Sequence, residues 1–258
     1  THCDSDHCGS LDDVIASDKI DVKNVYRPKV ASSYENDPLK PSDGYASITT
    51  GVYENFVKAV YGEKQSGVLN EVYYNIEGME ISGDGWTLRL YNPSADMYVK
   101  LNSAAEKNDI SPIMALSYGE ITVLFTGDAD GKAEKNFMQN VSQNLFGDGF
   151  DGDVDVLKVA HHGGQESTSE EFLDMVRPEY SIISVGKNSY GHPRQATLDR
   201  LEDVGSEVLR TDQCGTIVMC STGSDITFLK TVEAALLISF DITANIALAV
   251  GGGYLSAG

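Results

Sequence analysis

Apolar positions change their period several times along the chain, and each change marks an element. Val52, Phe56, Val57, Val60 and Tyr61 recur at helical spacing and predict a helix over residues 48–61. Ahead of it, residues 12–29 read as a short helix and an exposed strand ending at Val25-Tyr26, and the polar stretch 32–44, with Pro38 and Pro41, reads as a loop. From Gly67 the period shortens. Residues 72–74, 87–91 and 113–116 predict strands, with Gly83-Asp84-Gly85 as the turn before the second. The clearest core strand begins at Ile121, a β-branched apolar run that stops on Gly127-Asp128. A helix over 133–145 follows, then a strand over 154–160 that ends on His161-His162-Gly163-Gly164. Ser167 or Thr168 is placed to cap the next helix, with Glu170 and Glu171 in its first turn. A strand over 181–185, a helix over 197–204 closed by Gly205, a strand pair of 207–210 with 216–220 and a last strand over 226–228 complete the pattern.

Strands alternating with helices over this length predict an α/β layered domain spanning residues 1–230. The remainder, 231–258, differs in kind. Residues 234–250 are apolar and rich in small side chains but are broken by Asp241 and Asn245. They fall short of the roughly 20 apolar residues of a membrane span, and predict an apolar tail or the start of a truncated further domain.

With 258 residues, 41% of them hydrophobic, the chain is long enough for one large domain with a substantial core. The formal net charge of −20 changes the picture more. Such acidity repels polyanions and argues against broad nucleic-acid binding, while it suits a protein that meets divalent cations. Lys158, Arg177, Lys187 and Arg194 are the basic residues near the candidate site motifs, enough for a local patch only. Among the four cysteines no C-x-x-C pair occurs, which argues against a zinc knuckle. A strand between Cys214 and Cys220 holds them roughly 20 Å apart, too far for a disulfide. Cys3 and Cys8 read as small buried residues rather than ligands.

The chemistry concentrates at His2-Cys3-Asp4-Ser5-Asp6-His7. On an extended segment His2 and Asp4 point to one side, and Asp6 and His7 follow where the chain bends into a turn. A metal loop of this kind sits at the end of a strand, and the chain begins on the motif itself, so it reads as a fragment without its N-terminal strands. Asp128 and the His161-His162 pair end two further strands. A Gly-Asp after a strand is usually only a turn, and a His pair is more often surface or core than ligand; three such features at strand ends together point to a metal. Neighbours at a strand end face opposite ways, so one of His161 and His162 is expected to be the ligand, and the sequence leaves open which. About six imidazole and carboxylate ligands suit two divalent ions of zinc, manganese or iron, an arrangement that activates water against a phosphoryl or acyl centre. Four of the five histidines lie in these features. The fifth, His192, sits in the turn Tyr190-Gly191-His192-Pro193 as a candidate acid, base or oxyanion donor.

These segments resemble a known family. His2 to His7 resembles the H-x-[HD]-x-D-H signature of the metallo-β-lactamase superfamily, and Leu124 to Asp128 its bridging-aspartate motif. Leu157 to Gly163, Ile182 to Pro193, Arg210-Thr211-Asp212 and Gly215-Thr216-Ile217 are similar to its ComEC-type branch, where Asp commonly stands at the second ligand position as Asp4 does. The resemblance implies a four-layer αββα sandwich with a dinuclear site between its sheets, bound by His2, Asp4, Asp6, His7, Asp128 and the His161-His162 pair. It implies a hydrolase in which two ions, zinc or manganese, generate hydroxide against a phosphodiester. Asp6 would orient that hydroxide; His192, or the histidine of the pair that is not a ligand, would protonate the leaving oxygen. Single-stranded DNA is the implied partner, with an extracellular or cell-surface location. Two features depart from the family. There is no membrane channel, and Asn108-Asp109-Ile110-Ser111 occupies the region of the superfamily's middle histidine ligand. A phosphocholine esterase or lactonase on the same fold, and a non-catalytic module braced by metal, are the alternative expectations.

Overall fold

In the computed structural model, which describes residues 1–47, 50–99, 101, 104–231 and 246–250, the N-terminal third holds helices α1 (Ser5–Cys8) and α2 (Leu11–Ile15), strand β1 (Asn24–Arg27), helix α3 (Gly51–Ser66) and strand β2 (Glu71–Tyr74). α3 starts where the Thr50 hydroxyl accepts from the Tyr53 amide at 3.2 Å, and stops where Gly67 turns left-handed at φ 82°. It outruns the predicted helix because Glu63, Lys64 and Gln65 favour helix until Gly67 ends it. Tyr53, Phe56, Val57 and Val60 on its apolar stripe close a core with Cys3, Cys8, Ile15 and Val25.

β1 differs from the exposed strand expected, since Val25 and Arg27 are buried and it pairs in parallel with β2. The Arg27 guanidinium is fully enclosed. It donates to Asp37 at 3.0 Å and to the Val30 carbonyl at 2.7 Å, and lies 5.7 Å from the ring centres of Tyr53, Tyr61 and Tyr74. A buried charge is tolerated only with partners of this kind.

The second part is built on a seven-stranded sheet in chain order: β3 (Glu80–Ser82), β4 (Trp86–Asn92), β5 (Ile113–Tyr118), β6 (Ile121–Phe125), β7 (Val156–Lys158), β8 (Tyr180–Ile183) and β9 (Glu207–Arg210). From β3 to β6 neighbours are antiparallel; from β6 to β9 they are parallel. Side chains alternate between two cores, as the pleat requires. Leu124, Leu157 and Ile183 face Phe137 of helix α4 (Gly131–Ser142) and Phe172 of helix α5 (Glu170–Val176). Val123, Val156 and Ile182 face Ile217 and Met219 of strand β10 (Ile217–Ser221). β10 pairs with β11 (Ile226–Lys230) and with β12 (Ile246–Val250), all antiparallel.

The α/β class expected from the sequence is therefore present, as a helix layer, a large sheet and a smaller sheet, with α3 in a separate core. The predicted pairing of 207–210 with 216–220 is not. β9 joins β8, and the short helix Thr211–Cys214 turns the chain so that β10 leaves the large sheet and covers its other face. Residues 232–245 and 251–258 of the expected tail lie outside the described residues. What matters for chemistry is that β6, β7 and β8 run in parallel. Their carboxyl ends open on one side of the sheet, where ligand sites in α/β proteins gather.

Candidate metal centre

Asp128 follows β6 through Gly127 (φ 54°), and its amide donates to the Ser111 hydroxyl at 3.2 Å. Beyond β7, His161 and His162 do not continue the strand. Both adopt left-handed backbone, φ 48° and 52°, in the tight turn Ala160–Gly163. Two consecutive non-glycine residues of this kind are strained and persist only where their surroundings hold them. Here the His161 amide donates to the Gly127 carbonyl at 3.2 Å, and the Arg194 amide to the Gly163 carbonyl at 2.9 Å. The turn, not the pleat, aims these side chains, and it brings one of the two, His162, into the ligand cluster. The N-terminal motif is likewise a helical turn. His7 and Cys8 donate to the Asp4 carbonyl, and this first turn of α1 brings Asp6 and His7 under Asp128.

Asp6, His7, Asp128 and His162 bring one ligand atom each to within 4.8 Å of one another. His162 Nε2 lies 3.0 Å from Asp6 Oδ2, and His7 Nε2 lies 3.0 Å from Asp128 Oδ1. The latter pair is close but poorly aligned, so both atoms are buried without a hydrogen-bond partner. The outer ring nitrogens are engaged: Nδ1 of His162 with the Ser184 carbonyl at 2.6 Å, Nδ1 of His7 with the Thr1 hydroxyl at 2.7 Å. Anchored in this way, both imidazoles turn Nε2 inward, as metal-ligating histidines do. Buried, unpartnered nitrogen and carboxylate oxygen aimed at one small volume fit a divalent cation.

The other expected ligands lie around this cluster. His2 is buried; its Nε2 is 3.3 Å from Asp4 Oδ2 and its ring centre 4.3 Å from that of His7. His161 sits at the rim, more than a third exposed, with Nε2 4.0 Å from Asp128 Oδ2. His192 stands outside, its ring 5.3 Å from that of His161 and its loop held by Asn188, which accepts from the His192 amide at 3.1 Å. Asp6, Asp128, His161, His162 and His192 line a cavity of about 610 Å³ whose wall also includes Ser184 and the exposed Tyr190, while His2 lies buried behind it.

Electrostatics sort these groups. The hydrogen bond from His162 holds Asp6 below the ordinary carboxylate range against the pull of burial. Burial pulls His162 down, but Asp6 and Asp128 outweigh it and raise its pKa. Burial also pushes Asp128 up, and His7 and the other imidazoles more than offset it, so that Asp128 stays ionised. Burial lowers His2, and burial with the neighbouring imidazoles lowers His192. Burial pushes the thiols of Cys3 and Cys8 up to about 12 and about 11, so neither supplies a thiolate. The expected basic patch is reduced: Lys158 donates inward to the Val159 carbonyl at 2.8 Å, and Arg177 pairs with Asp153 at 3.1 Å.

Several contributors escape a motif reading. Thr1, Ser111 and Ser184 orient imidazoles or the Asp128 amide, and the Lys107 ammonium pairs directly with Asp4. For Lys107 and Ser111 the one signal in the sequence is their place beside and within Asn108-Asp109-Ile110-Ser111, the segment that the resemblance leaves without a middle histidine.

No family model matches the chain. It is 31% identical over 218 residues, 84% of its length, to ComE operon protein 3 of Bacillus subtilis. It is 34% identical over 113 residues to competence protein ComA of Neisseria gonorrhoeae, and 36% identical over 111 residues to recombination protein 2 of Haemophilus influenzae, 43% of its length in both cases. The chain spans only 23%, 15% and 13% of those three proteins. Among solved structures, a CmlA beta-hydroxylase E377D mutant aligns over 71% of this chain and 36% of its own, at 11% identity and a TM-score of 0.39.

Proposed function

We propose that this chain, which belongs to the ComEC-type branch of the metallo-β-lactamase superfamily, is a metal-dependent hydrolase of phosphodiesters. One observation carries the reading: Asp6, His7, Asp128 and His162, from three distant segments, bring one ligand atom each to one point beside an open cavity, and those of His7 and Asp128 are buried without a hydrogen-bond partner. The donor set is imidazole and carboxylate, which suits zinc or manganese. A divalent ion bound there lowers the pKa of a coordinated water and neutralises charge on a phosphoryl group. A second ion, expected from the number of ligands, would take His2 and Asp4.

The chain's own groups divide the remaining work. Asp6, which lines the cavity beside the other ligands, would accept a hydrogen bond from the attacking water and orient it. His161, at the rim and outside the four-ligand cluster, is placed to give a proton to the leaving oxygen. His192, whose lowered pKa favours the neutral imidazole at pH 7, offers one N–H to a phosphoryl oxygen. Competence and recombination in the relatives' names favour DNA as the substrate, and the cavity, open on one side, suits a single strand. On the same reading the domain works outside the cytoplasm; among the described residues no helix is long and apolar enough to cross a membrane.

The test is hydrolysis of bis(p-nitrophenyl) phosphate and of single-stranded DNA with added Mn²⁺ or Zn²⁺. Asp128→Ala should lower both rates about a hundredfold or more, since it removes a ligand outright. An intact, metal-loaded chain inert on both substrates would sink the reading and leave the module that metal merely braces.

A further inference from the structure

The half of the centre made by His2 and Asp4 differs from the four-ligand cluster in one respect: a cation already sits on it. The Lys107 ammonium pairs with Asp4 Oδ1, while the other oxygen of Asp4 faces His2 Nε2 at 3.3 Å. All three side chains are largely withdrawn from water, His2 completely. His2 has Nδ1 beside the Ser111 hydroxyl at 3.3 Å, so Nε2 is the nitrogen left for a ligand, and it is buried without a hydrogen-bond partner. Lys107 is delivered by the 3₁₀ turn Ala104–Ile110, the same segment that positions Ser111.

Charge balance gives this contact a consequence. Asp4, Asp6 and Asp128 are three carboxylates around one small volume. One divalent ion together with one ammonium neutralises them. A second divalent ion with Lys107 still in place would leave two uncompensated positive charges in a partly desolvated pocket, which is costly. We propose that Lys107 holds the place of a second metal ion: the Asp6–His7–Asp128–His162 cluster fills first, and the His2–Asp4 half fills only by displacing Lys107 from Asp4. This rests on the metal-centre reading above and goes beyond it, because it assigns unequal affinities to the two halves and names the residue that sets the difference.

Titration of the metal-free chain with Mn²⁺, followed by calorimetry and by native mass spectrometry, tests it without reference to catalysis. The wild type should take up one ion tightly and a second more weakly. Lys107→Met, which keeps the length and removes the charge, should tighten the second event by about ten- to a hundredfold, the worth of a hydrogen bond to a charged group. Lys107→Arg should leave it as in the wild type. His2→Ala in the Lys107→Met background should remove the second event and spare the first. Two ions of equal affinity in the wild type, or a second event indifferent to Lys107→Met, would overturn the inference and leave the metal centre standing. A folded wild type that takes up no Mn²⁺ overturns both. The wild-type affinity ratio decides the matter even if a Lys107 variant fails to fold.

Discussion

Asp6 and His162 form an ion pair in which each partner shifts the other, and the shifts fix how the metal-free chain responds to pH. The pKa of His162 lies above its ordinary 6.5, so the stability it contributes is full below 6.5 and fades as pH rises through the raised value. That of Asp6 lies below its ordinary 3.8, so its contribution is full above 3.8 and fades as pH falls through the lowered value. The pair therefore helps the metal-free fold most between the two ordinary values and is lost on the alkaline side. As pH rises from 6.5 through the raised value, denaturant melts of the metal-free wild type should lose more stability than those of His162→Gln. Equal slopes for the two proteins would refute the assignment. Metal binding takes the same His162 nitrogen and must release its proton, which makes ion affinity rise with pH in the same interval.

At the level of elements, the site depends on how α3 is tied to the first loop. The Thr50 hydroxyl accepts from the Tyr53 amide and donates to the Cys3 carbonyl at 3.0 Å, so one side chain caps the helix and fixes the metal-binding turn. Thr50→Ala should cost about 1 kcal/mol of unfolding free energy, the usual worth of such a cap, and should weaken uptake of the first ion. Thr50→Ser should retain both. A loss of stability with ion affinity unchanged would show that the cap serves α3 alone. The turn Ala160–Gly163 is tied down just as closely, because a Cβ at Gly163 (φ 80°) would lie 2.6 Å from Pro193 Cβ. Glycine there lets the loop that carries His192 pack against the turn that carries His161 and His162.

Across the whole molecule, a net charge of −20 means that any salt relieves repulsion, so a specific ion must be separated from screening. Mn²⁺ at about a hundred times its dissociation constant should stabilise the wild type by about 2.7 kcal/mol, following mass action. In Asp128→Ala only the small increment produced by Mg²⁺ or monovalent salt should remain. Equal stabilisation of both proteins in thermal melts would assign the effect to charge screening. The sequence by itself determined the helix at Val52–Tyr61, the core strand ending before Asp128 and the placing of Asp128 and His161-His162 just past strand ends. Each of these is a local matter of period, capping or a stop, and a single stretch of chain encodes it. Only the tertiary structure decided that His162 enters the four-ligand cluster while His161 stays at the rim, because a left-handed turn and the Ser184 carbonyl aim them. It also decided that residues 207–210 join β8 rather than 216–220. Lys107 meets Asp4 across 103 positions of sequence. No spacing rule reaches that far, for contacts at such separation are set by topology and packing.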